Sequence, residues 1–423
     1  MRGPLARIQG LGPAGLILGA SILSGASGYL VTILVAAALD AADYAVFAVF
    51  WSALYLAVGA FGGVQQEITR STTRSEAAPG PSRPGMARVA VFASVLAVGT
   101  TVVLASTAVV WAPVVLGRGT DAVAAGIALA VGVGSYIVVA AVAGAFYGAR
   151  WWVPIAALIL IDGLTRLVVV AAALVTSASA VWLTIAVIAP FPLALLAVGP
   201  FVARRLRRST RADVGYRALT WNTTRTVVAA ASTAVIVSGF PVLLSVTSAE
   251  VPRAALGPIV LAVTLTRAPI VIPLLALQSY LVVRFTGRPP DLRRLTALVG
   301  AVIVAGIALA GVAALVGPAV FEGLFGAALV VDGVVLFVVV ASSGLVAALC
   351  ISGPVLLALS AHSAYVLGWL VAAAATVLLL LVPSGLEARA CLALVGGPLA
   401  GLIVQLVAVR LPRLTDPPTA PAN

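Results

Sequence analysis

From Gly15 to Val409 the chain is a succession of apolar runs, most of them about 20 residues or longer, parted by short polar breaks. A run of that length crosses the hydrocarbon of a bilayer as an α-helix, which rises about 1.5 Å per residue across about 30 Å. Inside a bilayer each backbone N–H and C=O has to be satisfied by the protein itself, which leaves helices or closed barrels. The runs show no alternation of period two, so a barrel is excluded. A water-soluble fold is excluded as well, because 62% of the residues are hydrophobic and 9% charged, against about 25% charged in soluble domains. The expected fold class is an all-α polytopic membrane protein.

Twelve spans are predicted: Gly15 to Leu39, Ala45 to Val64, Val89 to Ala112, Ala122 to Tyr147, Val153 to Val175, Val181 to Val202, Thr226 to Val246, Leu256 to Val283, Leu295 to Val316, Gly333 to Leu359, Tyr365 to Val382 and Ala390 to Val409. The first run is too long for the apolar core of a secretory signal and reads as an uncleaved helix. Two segments, Gln65 to Arg88 and Ala203 to Arg225, read as long polar connections, the second being the midpoint linker.

Charge makes the count testable. The 25 basic residues are all arginines. With the N-terminus inside, twenty fall in or beside the cytoplasmic connections, and only Arg118, Arg253 and Arg389 lie opposite. Moving positive loops against the membrane potential is unfavourable, so both termini are expected in the cytoplasm of a bacterial cell with the chain in its cytoplasmic membrane. The net charge of +12 therefore marks topology, and no nucleic-acid partner is expected.

Similar residues recur in the two halves. Gly28-Tyr29 matches Gly239-Phe240, Gln65 matches Gln278, and Pro113 matches Pro318, at offsets of 211 (239 − 28), 213 (278 − 65) and 205 (318 − 113). The prolines of the last pair are each expected to follow the third helix of a half. The chain thus divides into an N-terminal six-helix half, 1–214, and a C-terminal half, 215–423. An even number of helices per half sets both the same way up, with a central cavity between them and alternating access as the expected motion.

The remaining arginines, Arg166 and Arg267, fall inside spans together with Asp162. An intramembrane charge costs about 2.5–3.5 kcal/mol on insertion scales and should face protein or water. Asp162 and Arg166 stand four apart on one helix face and can pair. Arg267 has no acidic residue at helical spacing and precedes Pro269 and Pro273. It suits an anion such as phosphate, or else carbonyls freed by those prolines or Asp162 across the bundle. Tyr29, Trp51, Tyr55, Tyr136 and Gln278, with hydroxyl residues such as Ser24, Thr32, Ser52, Thr233 and Ser238, are candidate cavity lining. Small and hydroxylated residues also serve ordinary helix packing, and Gly59, Gly62 and Gly63 read first as close packing.

Cys350 and Cys391 lie in apolar runs without metal-ligand spacing, and no metal is expected. His362 falls in a short cytoplasmic turn. A chain without lysine has no phosphate-binding loop of the Gly-x-x-x-x-Gly-Lys type, so no nucleotide motor and no cofactor is expected. The function is to be sought in transport, not in an enzymatic reaction.

Several segments together resemble the polysaccharide-export (Wzx-like) flippases of the multidrug/oligosaccharidyl-lipid/polysaccharide (MOP, MATE-like) transporter superfamily. They are Gly28 to Asp43 with Asp43-Tyr44, the aromatic Phe47, Phe50 and Trp51, Phe61-Gly62 with Gln65, Leu256-Gly257, Arg267-Ala268-Pro269, and Phe321 to Gly326 after the ninth helix. The resemblance implies twelve helices in two halves and a polyprenyl-diphosphate-linked oligosaccharide as substrate. It places Arg267 and Arg166 at the diphosphate, and implies membrane lipids, a polysaccharide polymerase or glycosyltransferases as partners. Two alternatives stay open: a cation-coupled exporter of small molecules using Asp162, and a non-transporting component of a polysaccharide synthase.

Overall fold

The computed structural model describes residues 12–77, 86–117, 121–176, 180–209, 212–267, 285, 292–359 and 361–410. Among these, ten helices are long and apolar enough to cross a membrane, and a bent pair makes an eleventh span. The predicted eighth span is described only over 253–267, where it is helical. The protein is all-helical and multi-pass.

Helix α1 (Pro13–Ala38) starts on a proline whose missing N–H is no loss in a first turn. The Asp40 carboxylate then accepts from the N–H groups of Ala42 and Asp43 (both 2.9 Å) and starts α2 (Ala41–Ala77). That helix corrects the sequence reading, which ended the second span at Val64 and made Gln65 to Arg88 a loop. Loss of hydrophobicity ended the apolar run but not the helix, because the continuation holds no Gly or Pro up to Ala77 and carries Glu67 and Arg70 three apart. The midpoint linker shrinks for the same reason.

Breaks interrupt three other spans. The third is α3 (Val89–Ser106) and α4 (Ala108–Val115), and the sixth is α7 (Ala180–Ile188) and α8 (Pro190–Ser209). The seventh is α9 (Tyr216–Val237) and α10 (Phe240–Thr247), bent by 74°. Pro190 and Pro241 each remove a donor, which leaves carbonyls one turn earlier without their helical partner. The other helices are α5 (Ala122–Gly148), α6 (Trp152–Val175), α11 (253–267), α12 (Leu292–Phe325), α13 (Gly333–Ala358), α14 (His362–Leu380) and α15 (Leu386–Arg410). Pro113 and Pro318 lie within α4 and α12, not after the helices, and α12 runs through Phe321 to end at Gly326, whose φ of 78° suits glycine. A proline kinks a membrane helix without ending it where neighbours re-satisfy the freed groups.

The same pairings recur in both halves. In the first, α1 packs on α6, α3 on α5, and α6 on α8; in the second, α9 packs on α14, α12 on α13, and α14 on α15. Residues 212–214 are strapped to the first half by Ala212 N–H to Ala87 O (2.9 Å), Ala87 N–H to Val214 O (3.0 Å) and Asp213 N–H to Ser71 O (3.3 Å).

The halves meet along α2 and α9 at van der Waals limit. A Cβ at Gly63 would lie 2.5 Å from the Thr226 carbonyl carbon and the Val227 nitrogen, and one at Gly59 would lie 2.6 Å from Ala234 Cβ. Thr226 Oγ1 donates to the Gly63 carbonyl at 2.9 Å. Small residues one turn apart let two backbones approach in lipid, where apolar burial drives no association. Gly62 faces open space.

Candidate functional site

Between the halves lies a cavity of about 740 Å³, within the range of small-molecule sites. Helix α1 contributes Ser21, Ser24, Tyr29 and Thr32 to its wall, and α2 contributes Phe47, Trp51, Ser52 and Tyr55. Across from them the broken seventh span supplies Thr233, Ser238 and Phe240, and α11 supplies Thr264 and Arg267. Exposed Gln66 and half-buried Tyr365 line the wall at the arginine-rich end of the bundle.

The opposite end is closed. Tyr44, Leu244, Leu256, Val260 and Leu329 are buried there in one cluster drawn from both halves. Gly257 lies so close to Ala41 that a Cβ would meet its carbonyl at 2.5 Å, and Ser245 Oγ donates to the Val115 carbonyl at 2.8 Å. Beside it, Arg389 clasps Glu250 at 2.9 Å and the Thr247 carbonyl at 3.2 Å. Bonding to its own backbone and the nearby guanidinium hold the Glu250 carboxyl below its ordinary range.

Arg267 is 5% exposed and lines this cavity. Its Nη1 donates to the Ile236 carbonyl at 2.8 Å, while Nε has no partner among the described residues. Ile236 sits four residues before Phe240, the first residue of α10, so the bend in the seventh span leaves its carbonyl to be met from outside the helix. Ser52 Oγ donates to the Ser238 carbonyl at the same bend. The described lining holds no acidic side chain, and Arg267 is its one charged group.

Arg166 is placed differently. Its Nη2 donates to Asp162 Oδ1 at 2.8 Å, Nη1 to the Tyr55 hydroxyl at 2.6 Å and Nε to the Val187 carbonyl at 3.1 Å. Its Cζ stands 4.9 Å from the centre of the Phe191 ring. The guanidinium is thus spent within the first half, behind Tyr55, and is not part of the cavity wall. Both intramembrane arginines donate to a carbonyl close to a helix break, Arg166 before Pro190 and Arg267 before Pro241. The sequence reading offered Arg267 carbonyls freed by Pro269 and Pro273, which lie outside the described residues; the carbonyl it meets is that of Ile236, beside the bend of the seventh span.

Tyr29, Trp51 and Tyr55 line the cavity; Tyr136 packs on Phe191, with ring centres 5.4 Å apart, away from the wall. Gln278 lies outside the described residues. Glu67 was missed. Buried at 3% exposure, it accepts from Arg70 at 2.6 and 2.8 Å and from Asn222 of the other half at 3.2 Å. Reading Gln65 to Arg88 as a loop hid it, although its i,i+3 spacing from Arg70 pointed to a helix.

Over 415 residues, 96% of this chain and 93% of the relative, the protein is 35% identical to the uncharacterized protein Rv1510 of Mycobacterium tuberculosis. It belongs to the same family. Rv3630 of the same organism is 33% identical over 398 residues, 92% of this chain and 90% of the relative. No protein-family model matches the chain. Among solved structures, an inward-facing MATE multidrug transporter of the MOP superfamily aligns at a TM-score of 0.70 with 13% identity, covering 94% of this chain and 97% of that one. The lipid II flippase MurJ, in an inward closed conformation, aligns at 0.70 with 10% identity over 94% and 87%. A MOP superfamily transporter from Pyrococcus furiosus aligns at 0.62 with 15% identity over 94% and 95%. At such identities the likeness is one of fold, and the fold is that of the MATE-like transporters.

Proposed function

We propose that the protein is a flippase of the Wzx-like kind, which moves polyprenyl-diphosphate-linked oligosaccharides across a bacterial cytoplasmic membrane for cell-surface polysaccharide synthesis. The observation that carries this reading is Arg267, the one charged group among the described residues of a cavity wall rich in hydroxyls and aromatic rings. A guanidinium keeps its charge when buried and binds phosphate oxygens through a planar fork. Hydroxyls and rings suit a saccharide, and the lipid tail stays in the bilayer. The fold shared with a lipid II flippase supports the reading.

The arginine-rich end faces the cytoplasm, with both termini on that side. The two rocking bodies are residues 1–214 and 215–423, a division supported by the strap that fixes 212–214 to the first half. The state described here is open towards the cytoplasm. A polymerase or glycosyltransferases act next to the protein on the same lipid-linked glycans.

A cation-coupled exporter needs an available acid in the cavity. Asp162 is occupied by Arg166 and Glu67 by Arg70 and Asn222, which favours the flippase. The test is a proteoliposome assay with a fluorescent short-chain prenyl-diphosphate oligosaccharide. Wild type exchanges it between leaflets and Arg267→Ala does not. Equal rates in the two proteins reject the role of Arg267, and no exchange by wild type above empty vesicles rejects the function.

A further inference from the structure

The cavity wall carries a feature that a diphosphate does not explain. Phe47, Trp51 and Tyr55 follow one another at i, i+4 and i+8 along one face of α2. Their rings form a continuous strip, with centres 5.8 Å apart from Phe47 to Trp51 and 4.8 Å from Trp51 to Tyr55, the latter pair stacked. All three line the cavity, and Trp51 and Tyr55 are only half-buried.

Tyr55 is fixed from behind. Arg166 donates to its hydroxyl at 2.6 Å and stands 5.6 Å from the centre of its ring. Asp162 and the Val187 carbonyl hold that arginine in turn. The buried charges of the first half thereby act as the mounting of an aromatic surface. Thr233 and Ser238, on the broken seventh span across the cavity from α2, have hydroxyls that make no hydrogen bond among the described residues.

Depth relates the strip to the cation. Ser52, the residue after Trp51, bonds to the Ser238 carbonyl, two residues beyond the Ile236 carbonyl that Arg267 holds. Trp51 and Arg267 therefore stand at one level of the cavity, and the strip runs from there towards both ends.

We infer that the aromatic strip of Phe47, Trp51 and Tyr55 forms an apolar platform for the pyranose rings next to the diphosphate, with the Thr233 and Ser238 hydroxyls across from it bonding to the sugar hydroxyls. The apolar C–H face of a pyranose packs on the apolar surface that such a strip, and above all the large Trp51 side chain, presents. Its rim of hydroxyls requires partners once water is displaced. A platform of rings demands no particular sugar, so it holds successive rings of a chain as they pass. This inference rests on the lipid-diphosphate reading and assigns to the same cavity a saccharide subsite separate from Arg267.

The test compares two ligands on the purified detergent-solubilised protein: farnesyl diphosphate, and farnesyl diphosphate carrying a pyranose disaccharide. Wild type binds the saccharide conjugate more tightly, by about tenfold for stacking of this kind. Trp51→Phe keeps most of that ratio. Trp51→Leu, which keeps apolar bulk without a flat ring, brings the ratio of the two affinities close to one. Tyr55→Phe, which removes the hydroxyl that Arg166 holds, gives an intermediate ratio. If Trp51→Leu keeps the wild-type ratio, the platform is refuted while the lipid-diphosphate reading stands. If wild type binds neither ligand, that reading fails and the platform with it. Matching melting midpoints for the Phe and Leu variants exclude a folding defect as the cause of a lost ratio.

Discussion

Gly63→Ala, set beside Gly62→Ala, tests the seam between the halves. At position 63 the added methyl meets the backbone of α9 at 2.5 Å, where carbon contacts relax to about 3.5–4.0 Å. Backbone atoms cannot swing aside, so the two helices must part by about 1 Å. Overpacking of this kind costs about 1–3 kcal/mol, and stretching the bond from Thr226 Oγ1 to the Gly63 carbonyl adds about 0.5–1.5 kcal/mol. The better helix propensity of alanine returns about 1 kcal/mol, which leaves a net loss of about 0.5–3.5 kcal/mol. At position 62 nothing lies within 4 Å, so only the gain in propensity remains. Thermal melting of the purified protein, followed by tryptophan fluorescence, should show Gly62→Ala at or slightly above wild type and Gly63→Ala several degrees below it. Equal midpoints for the two variants would refute the close approach of α2 and α9.

Three further outcomes follow from the buried charges. Asp162→Ala leaves Arg166 buried without its carboxylate and should lose about 3–5 kcal/mol, seen as a lowered melting midpoint and poor yield. The double variant Asp162→Leu with Arg166→Met should recover much of that loss on the same measurement, because apolar replacement of a whole buried pair is often neutral. Glu67→Ala should lose about 1–3 kcal/mol by leaving Asn222 without its acceptor and Arg70 with only Asp213; an unchanged midpoint would show that this contact between the halves contributes nothing.

The membrane fold was legible because each span needs its own apolar run, and the runs do not depend on one another. Helix ends were not. Polar residues close an apolar run at Val64 while α2 continues through Glu67 and Arg70, since leaving lipid does not end a helix. The site was legible in type but not in partnership. Asp162 with Arg166 follows from spacing on one helix, whereas the bonds of Arg166 to Tyr55 and Val187, and of Arg267 to Ile236, join residues 21 to 111 positions apart. Such contacts arise only when the helices are assembled. The same holds for the glycines, where composition marks three at 59, 62 and 63 and only the crossing of α2 with α9 separates two that touch from one that does not.

In the proposed function, Arg267 holds the anionic head of a lipid-linked glycan between the halves. A structure of the protein bound to a prenyl-diphosphate saccharide tests it most directly. Diphosphate oxygens should lie about 2.7–2.9 Å from the Arg267 guanidinium, with the first sugar ring against Trp51. A diphosphate bound elsewhere, with the Arg267 guanidinium still facing an empty cavity, would contradict it.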